Sequence, residues 1–214
     1  MTKLVIVESP AKCKKIEQIL GNGYKCIASY GHFRTMDGLK SIDVNNDFKI
    51  TYLKDKKKSK QISVMQTEIK NAQEVILATD NDREGEAIAW HICDAFKLNI
   101  TNTKRILFQE ITKNAILKAV NNPSTINMNL VYAQQCRQVL DMLIGFKISP
   151  LLWKAITYNS SNSLSAGRCQ TPALRIIYDH YISNKNSELE IGYNINGLFT
   201  SQNILFNLKC DSLI

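Results

Sequence analysis

Four carboxylates occupy alternate positions, Asp80, Asp82, Glu84 and Glu86, in the stretch EVILATDNDREGEAIAWH of residues 74–91. Side chains packed that closely repel one another unless a positive charge stands among them. Hard oxygen ligands on one turn suit Mg²⁺, which keeps several waters and takes one or two carboxylates together with substrate phosphate. An acidic first helical turn, stabilised by the helix dipole, is the simpler account of Glu84 and Glu86. It leaves Asp80 unexplained, and also Glu8, which closes the apolar run LVIV of residues 4–7 in the same way.

The elements that must position these groups can be read from the pattern around them. LVIV has no polar alternation, as expected of a strand buried on both faces. Ser9 and Pro10 then suit an N-cap and first helical residue, Cys13, Ile16 and Leu20 fall on one face, and the GNG of residues 21–23 stops the helix. YKCIAS predicts a second strand, VILAT (75–79) a third and RILFQE (105–110) a fourth. Ile88, Ile92, Ala95 and Phe96 follow helical spacing, as do Ala115, Ile116, Ala119 and Val120 behind a Thr112 cap. Strands alternating with helices imply an open, largely parallel α/β sheet, whose ligands sit beyond the carboxyl ends of the strands. Glu8 and Asp80 both fall there.

Lys and Arg number 27 against 19 Asp and Glu, a net charge of +8 that favours a polyanionic partner such as nucleic acid. The lysine-rich KDKKKSK of residues 54–60 reads either as a solvated loop or as one that tracks DNA. Six scattered cysteines, with no C-x-x-C pair, argue against a zinc or redox motif and are expected to be reduced and mostly buried. The first apolar run is too short for a signal peptide, and no run approaches the roughly 20 residues needed to span a bilayer. A cytoplasmic chain with no membrane partner is therefore expected; a monomer, nucleoid-associated or, in a large DNA virus, viral, is a separate expectation. Beyond NNPS (121–124) the pattern predicts a helix over 128–144, then SPLLWKAI, a polar Asn/Ser loop at 159–163 and a helix from Thr171 or Pro172. Residues 191–209 alternate as two strands around SQN. Three domains are expected: 1–125, 126–183 and 184–214.

VIVESPAK and LATDNDREGEAIAWH together resemble the two halves of a TOPRIM domain, the strand-end Glu and the Asp-x-Asp-x-Glu element. GHFR (31–34), FQEITKNAI (108–116), AQQCRQVLDMLIGFKISPLLWKAI (133–156) and LSAGRCQTPALRII (164–177) resemble, in the same order, segments of type IA DNA topoisomerases. The likeness runs from residue 3 to about 180. It implies a Rossmann-like TOPRIM domain, a helical part that guides single-stranded DNA and the start of a β-rich hinge domain. It implies relaxation of negatively supercoiled DNA by transient single-strand cleavage through a 5′-phosphotyrosyl link.

By that resemblance Glu8 serves general acid/base work on the leaving deoxyribose oxygen, with Lys12 close to the scissile phosphate. Glu8, Asp80, Asp82 and Glu84 are the implied Mg²⁺ ligands. Arg137 and Asp141 match a helical pair beside the active site, Arg168 and Gln170 match positions that grip the single strand, and His32 and Arg34 match a further DNA-contacting motif. His32 reads equally well as a structural histidine. The family's nucleophile is a Tyr in a segment close to YxRTDS, and none of the eight tyrosines here has that context. The expectation is an N-terminal part that carries the Mg²⁺ and acid/base half and is inactive alone. The rivals are a non-catalytic Mg²⁺- and single-strand-binding module and a TOPRIM nuclease or primase. SAGRCQTPALR leaves the relaxing and decatenating branches open.

Overall fold

A computed structural model describes residues 2–156, 164–186, 195–201 and 204–210. The chain divides into two compact units, Met1–Arg168 and Cys169–Ile214. In the first, strands β1 (Lys3–Val7), β2 (Tyr24–Ala28), β7 (Glu74–Ala78) and β8 (Lys104–Arg105) form one sheet in the order β2-β1-β7-β8, every pair parallel. Helices α1 (Pro10–Leu20), α2 (Ser59–Asn71), α3 (Arg83–Phe96) and α4 (Lys113–Asn121) cover it, and α5 (Met128–Ala155) follows. Two short antiparallel pairs, β3 (Arg34–Thr35) with β6 (Leu53–Lys54) and β4 (Ile42–Asp43) with β5 (Lys49–Ile50), occupy the excursion between β2 and α2.

The unbroken apolar run of β1 reflects burial on both faces. Leu4 and Ile6 join Leu77, Met65, Ile88 and Ile92 in a core under α2 and α3, while Val5 and Val7 join Ile16, Ile76, Ile106 and Ile116 under α1 and α4. Helices therefore lie on both sides of a parallel sheet, the architecture that the alternating pattern implied. Thr112 caps α4 as expected, its Oγ1 accepting from Ala115 N at 3.3 Å. Ser9 holds the N-cap position of α1 but makes no side-chain cap bond there.

Three local expectations are corrected. RILFQE is not a six-residue strand, because β8 ends at Arg105 and the chain then bends so that Phe108 and Ile111 fold onto the second core. The helix predicted to end at residue 144 runs on to Ala155 through Pro150. Its last turns are tied down from the side: Ala166 N donates to Ser149 Oγ at 3.0 Å, and Trp153 Nε1 donates to Leu164 O. Cys13, Cys26, Cys93, Cys136 and Cys169 are free thiols, of which Cys26 and Cys93 are buried, Cys13 is half-buried and Cys136 and Cys169 are exposed. The predicted Asn/Ser loop at 159–163 lies outside the described residues.

In the second unit α6 (Gln170–Asn186) starts one residue before the predicted Thr171. β9 (Ile195–Ser201) and β10 (Ile204–Cys210) pair antiparallel, Ile204 opposite Ser201 and Cys210 opposite Ile195. Among the described residues no helix is long and apolar enough to cross a membrane.

His91 on α3 is 1% exposed, with Arg34 Nη1 at 3.4 Å from its Nδ1 and the Tyr52 ring edge-on at 4.5 Å. Burial, then the charges of Arg34 and His32, push its pKa down to about 3. The unfolded chain takes up this proton near the ordinary 6.5, so folding loses stability as pH falls below that value. Acidifying from about pH 7.5 to about pH 5 should cost on the order of 2 kcal/mol from this group alone. Urea unfolding of wild type and His91→Gln across that range checks it, since the glutamine variant should show a slope flatter by that amount.

Candidate functional site

Val7 and Ala78 are register partners, so the next residues of both strands, with Glu8 and Asp80, leave the sheet on the same edge. Asp82 is the N-cap of α3, its Oδ1 accepting from Gly85 N at 2.7 Å. The turn between β7 and α3 is thus shaped by one carboxylate and displays another. Lys12, in the first turn of α1, donates to Asp80 Oδ1. The positive charge demanded by the acidic turn is supplied in part by this ammonium. Beyond the strand ends lies a cavity of about 470 Å³ lined by Lys12, Asp80, Asp82, Phe108, Gln109 and Glu110.

Glu8 carries the clearest electrostatic mark. Its pKa is raised, first by partial burial and then by Asp80 and Asp82, with Lys12 and His32 opposing. These groups therefore feel one another across the edge, and Glu8 holds a proton at higher pH than an ordinary glutamate. Glu84 Oε2 lies 3.2 Å from His32 Nε2 and accepts from Gln134 Nε2 at 3.1 Å. His32 sits after a left-handed pair, Tyr30 (φ 59°) and Gly31 (φ 75°), and Lys58 pins that turn by donating to Tyr30 O at 2.7 Å and His32 O at 2.6 Å. One lysine of the KDKKKSK run therefore builds the site's wall.

Arg34 is committed to α3. It meets Asp94 Oδ2 at 2.5 Å and stacks its guanidinium over Tyr52 and Trp90, with its side chain 12% exposed. Arg137, Asp141 and Arg168 do come together: Arg137 Nε lies 3.7 Å from Asp141 Oδ2, and Arg168 Nε donates to Asp141 Oδ1 at 2.9 Å. Gln170 opens α6 in the second unit.

Among the described residues no three His, Cys, Asp or Glu side chains are gathered as a ready-made metal cage. The donor set nonetheless fits Mg²⁺, which needs one or two carboxylates and completes its shell with water and phosphate oxygens. Asp80 and Asp82 stand on one turn, close enough to perturb Glu8.

Three residues that shape the site had no obvious mark in the sequence. Arg105 is fully buried, its Nε donating to Glu86 Oε2 at 3.1 Å and its Nη atoms to Thr79 O (2.7 Å), Ile106 O (3.1 Å) and Asp80 O (2.8 Å). Burial pushes its pKa down and Glu86 opposes that. Glu86, read from the sequence as a helix-dipole residue, is instead this buried partner, and its Oε1 also accepts from Asn127 N at 2.6 Å. Gly85 lets α3 press onto the turn: a Cβ there would stand 2.2 Å from Asp80 O. Gln134 reaches Glu84 from α5. An arginine at the head of an apolar strand run, and a glycine between two glutamates, were the only traces of the first two.

A parallel sheet with an acidic strand-end turn and a paired strand-end glutamate defines the class. Residues 3–111 match the Toprim domain family, and the chain belongs to it. Residues 125–212 match the family described as DNA topoisomerase. The fold superposes on full-length topoisomerase I from Thermotoga maritima with a TM-score of 0.77 and 36% identity, covering 91% of this chain and 32% of that one. The chain thus corresponds to the N-terminal region of a type IA topoisomerase and spans about a third of the length of the Thermotoga protein.

Proposed function

We propose that this chain forms the phosphate-handling and acid/base half of a type IA topoisomerase that relaxes negatively supercoiled DNA through a transient 5′-phosphotyrosyl link. The observation that carries it is Glu8, raised in pKa beside Asp80 and Asp82 and flanked by Lys12. A carboxyl that keeps its proton closer to neutral pH is suited to protonate a leaving deoxyribose oxygen and to take the proton back on religation. Lys12 would lie against the scissile phosphate once phosphate competes for it with Asp80. Asp80 and Asp82, with Glu8 and Glu84, would hold Mg²⁺, which when bound supplies positive charge against the phosphate. Arg168, held by Asp141, would grip the single-stranded backbone, Arg137 with Asp141 would stand beside the active site, Gln170 would add a strand contact of its own, and His32 would border the strand's path. Arg34 is assigned to holding α3. On this reading residues 1–125 would carry the acid and metal chemistry, 126–183 the strand-guiding part and 184–214 the start of a hinge.

Mg²⁺ should raise the melting temperature through linkage, and Asp80→Ala with Asp82→Ala should abolish that rise. The same protein should bind single strands better than duplex, with affinity falling steeply as salt rises, and Arg168→Ala should flatten the salt slope. Fluorescence anisotropy and thermal melts check both. A Mg²⁺ shift that survives the double substitution, or equal affinity for duplex and single strand, would refute the reading. Nicking of DNA without a covalent adduct would favour a nuclease instead.

A further inference from the structure

Gln134 is a polar side chain in a place where packing alone would favour leucine or methionine. It is 4% exposed, its Nε2 donates to Glu84 Oε2 at 3.1 Å, and its Oε1 has no partner. Turning the amide over would set that oxygen against the Glu84 carboxylate, so charge fixes its orientation. An unpaired buried carbonyl is destabilising, and here it accompanies the donor that the same amide turns to Glu84.

The helix that presents Gln134 gives that donor a further meaning. Positions 134, 138 and 141 of α5 are spaced by four and three residues and share one stripe. Gln138 Oε1 accepts from Tyr52 Oη at 3.0 Å, and Asp141 accepts from Arg168 at 2.9 Å while Arg137 lies at 3.7 Å. One helix therefore holds the strand-binding arginines at one end of the stripe and the acidic edge at the other. α3, which carries Glu84, packs against this helix.

We propose that Gln134 is a positioning residue: by donating to Glu84 from α5 it sets that carboxylate for a divalent cation and makes cation binding and single-strand binding mutually dependent. The inference rests on the metal and strand assignments above. Partners that orient a metal's carboxylate ligands typically change metal affinity by 10- to 100-fold when removed. Coupling carried this way must be reciprocal, so the factor by which the strand tightens the cation equals that by which the cation tightens the strand.

The test uses the full 214-residue chain, MgCl₂ alone in calorimetry and a labelled oligothymidylate in anisotropy, with EDTA or Mg²⁺ present. In wild type each ligand should tighten the other. Gln134→Met should weaken Mg²⁺ by on the order of tenfold and bring the mutual factor to about one. Its oligonucleotide affinity in EDTA should be unchanged and its melting temperature not lowered, because the orphan carbonyl is gone. Gln134→Leu serves as a second variant. Wild-type Mg²⁺ affinity and coupling in both variants would overturn the inference and leave the metal assignment standing. Variants that fail to fold, or lose strand affinity in EDTA as well, would make Gln134 merely structural and overturn it too. A wild type that binds no Mg²⁺ would remove the metal assignment itself, and this inference with it.

Discussion

Gly85→Ala should destabilise the protein by at least about 3 kcal/mol and remove its response to Mg²⁺, although alanine is the better helix former. The reason is contact. The added methyl would stand 2.2 Å from Asp80 O, 2.8 Å from Asp80 N and 2.9 Å from Asp80 C, all backbone atoms that no rotamer change can move. Relief requires either α3 to withdraw from the sheet or the turn to swing out. Either movement breaks the Thr79 Oγ1 bond to Gly85 O at 2.6 Å and the cap from Gly85 N to Asp82 Oδ1 at 2.7 Å. Asp80 and Asp82 would then leave their common turn. Denaturant unfolding and a Mg²⁺ thermal-shift series measure the two effects, and a variant within about 1 kcal/mol of wild type that keeps its Mg²⁺ shift would show that the approach is not tight.

What the sequence made legible follows from range. LVIV and VILAT were readable as strands because burial on both faces erases polar alternation, and their parallel register puts Glu8 and Asp80 at one end of the sheet. The Arg137–Asp141 pair was readable because helical spacing is local. The carboxylates of Glu84 and Glu86 were not separable by such means. They are two residues apart, yet one meets His32 and Gln134 while the other is buried against Arg105. Which face each takes depends on residues 19 to 52 positions away in the chain. The packing of Arg34 was hidden for the same reason: the motif GHFR places it beside His32 in sequence, while the fold lays its guanidinium over Tyr52 and Trp90. Pro150 failed differently, because the turns around it are held by Ala166 and Leu164 from a later segment.

Arg105→Met should cost about 3–5 kcal/mol, the range seen when one partner of a buried ion pair is deleted and the other remains charged and buried. Glu86 would be that remainder, 3% exposed and left with only the Asn127 N–H. Adding Glu86→Leu should recover most of the loss, since a buried pair replaced by apolar groups of similar size is often close to neutral. Recovery should stop short of wild type because Asn127 N then loses its acceptor. Stability and function should separate at this point. Arg105 also ties the carbonyls of Thr79, Asp80 and Ile106 to one guanidinium, and no apolar pair can do that. The double variant should therefore be folded yet show little Mg²⁺-induced rise in melting temperature, because the turn that carries Asp80 and Asp82 has lost its clamp. A double-mutant cycle by denaturant unfolding, run with and without Mg²⁺, measures both terms. If the double variant regained the Mg²⁺ response together with its stability, Arg105 would be a core ion pair with no hold on the site. If the single substitution cost less than about 1 kcal/mol, the pair itself would be weaker than its burial requires.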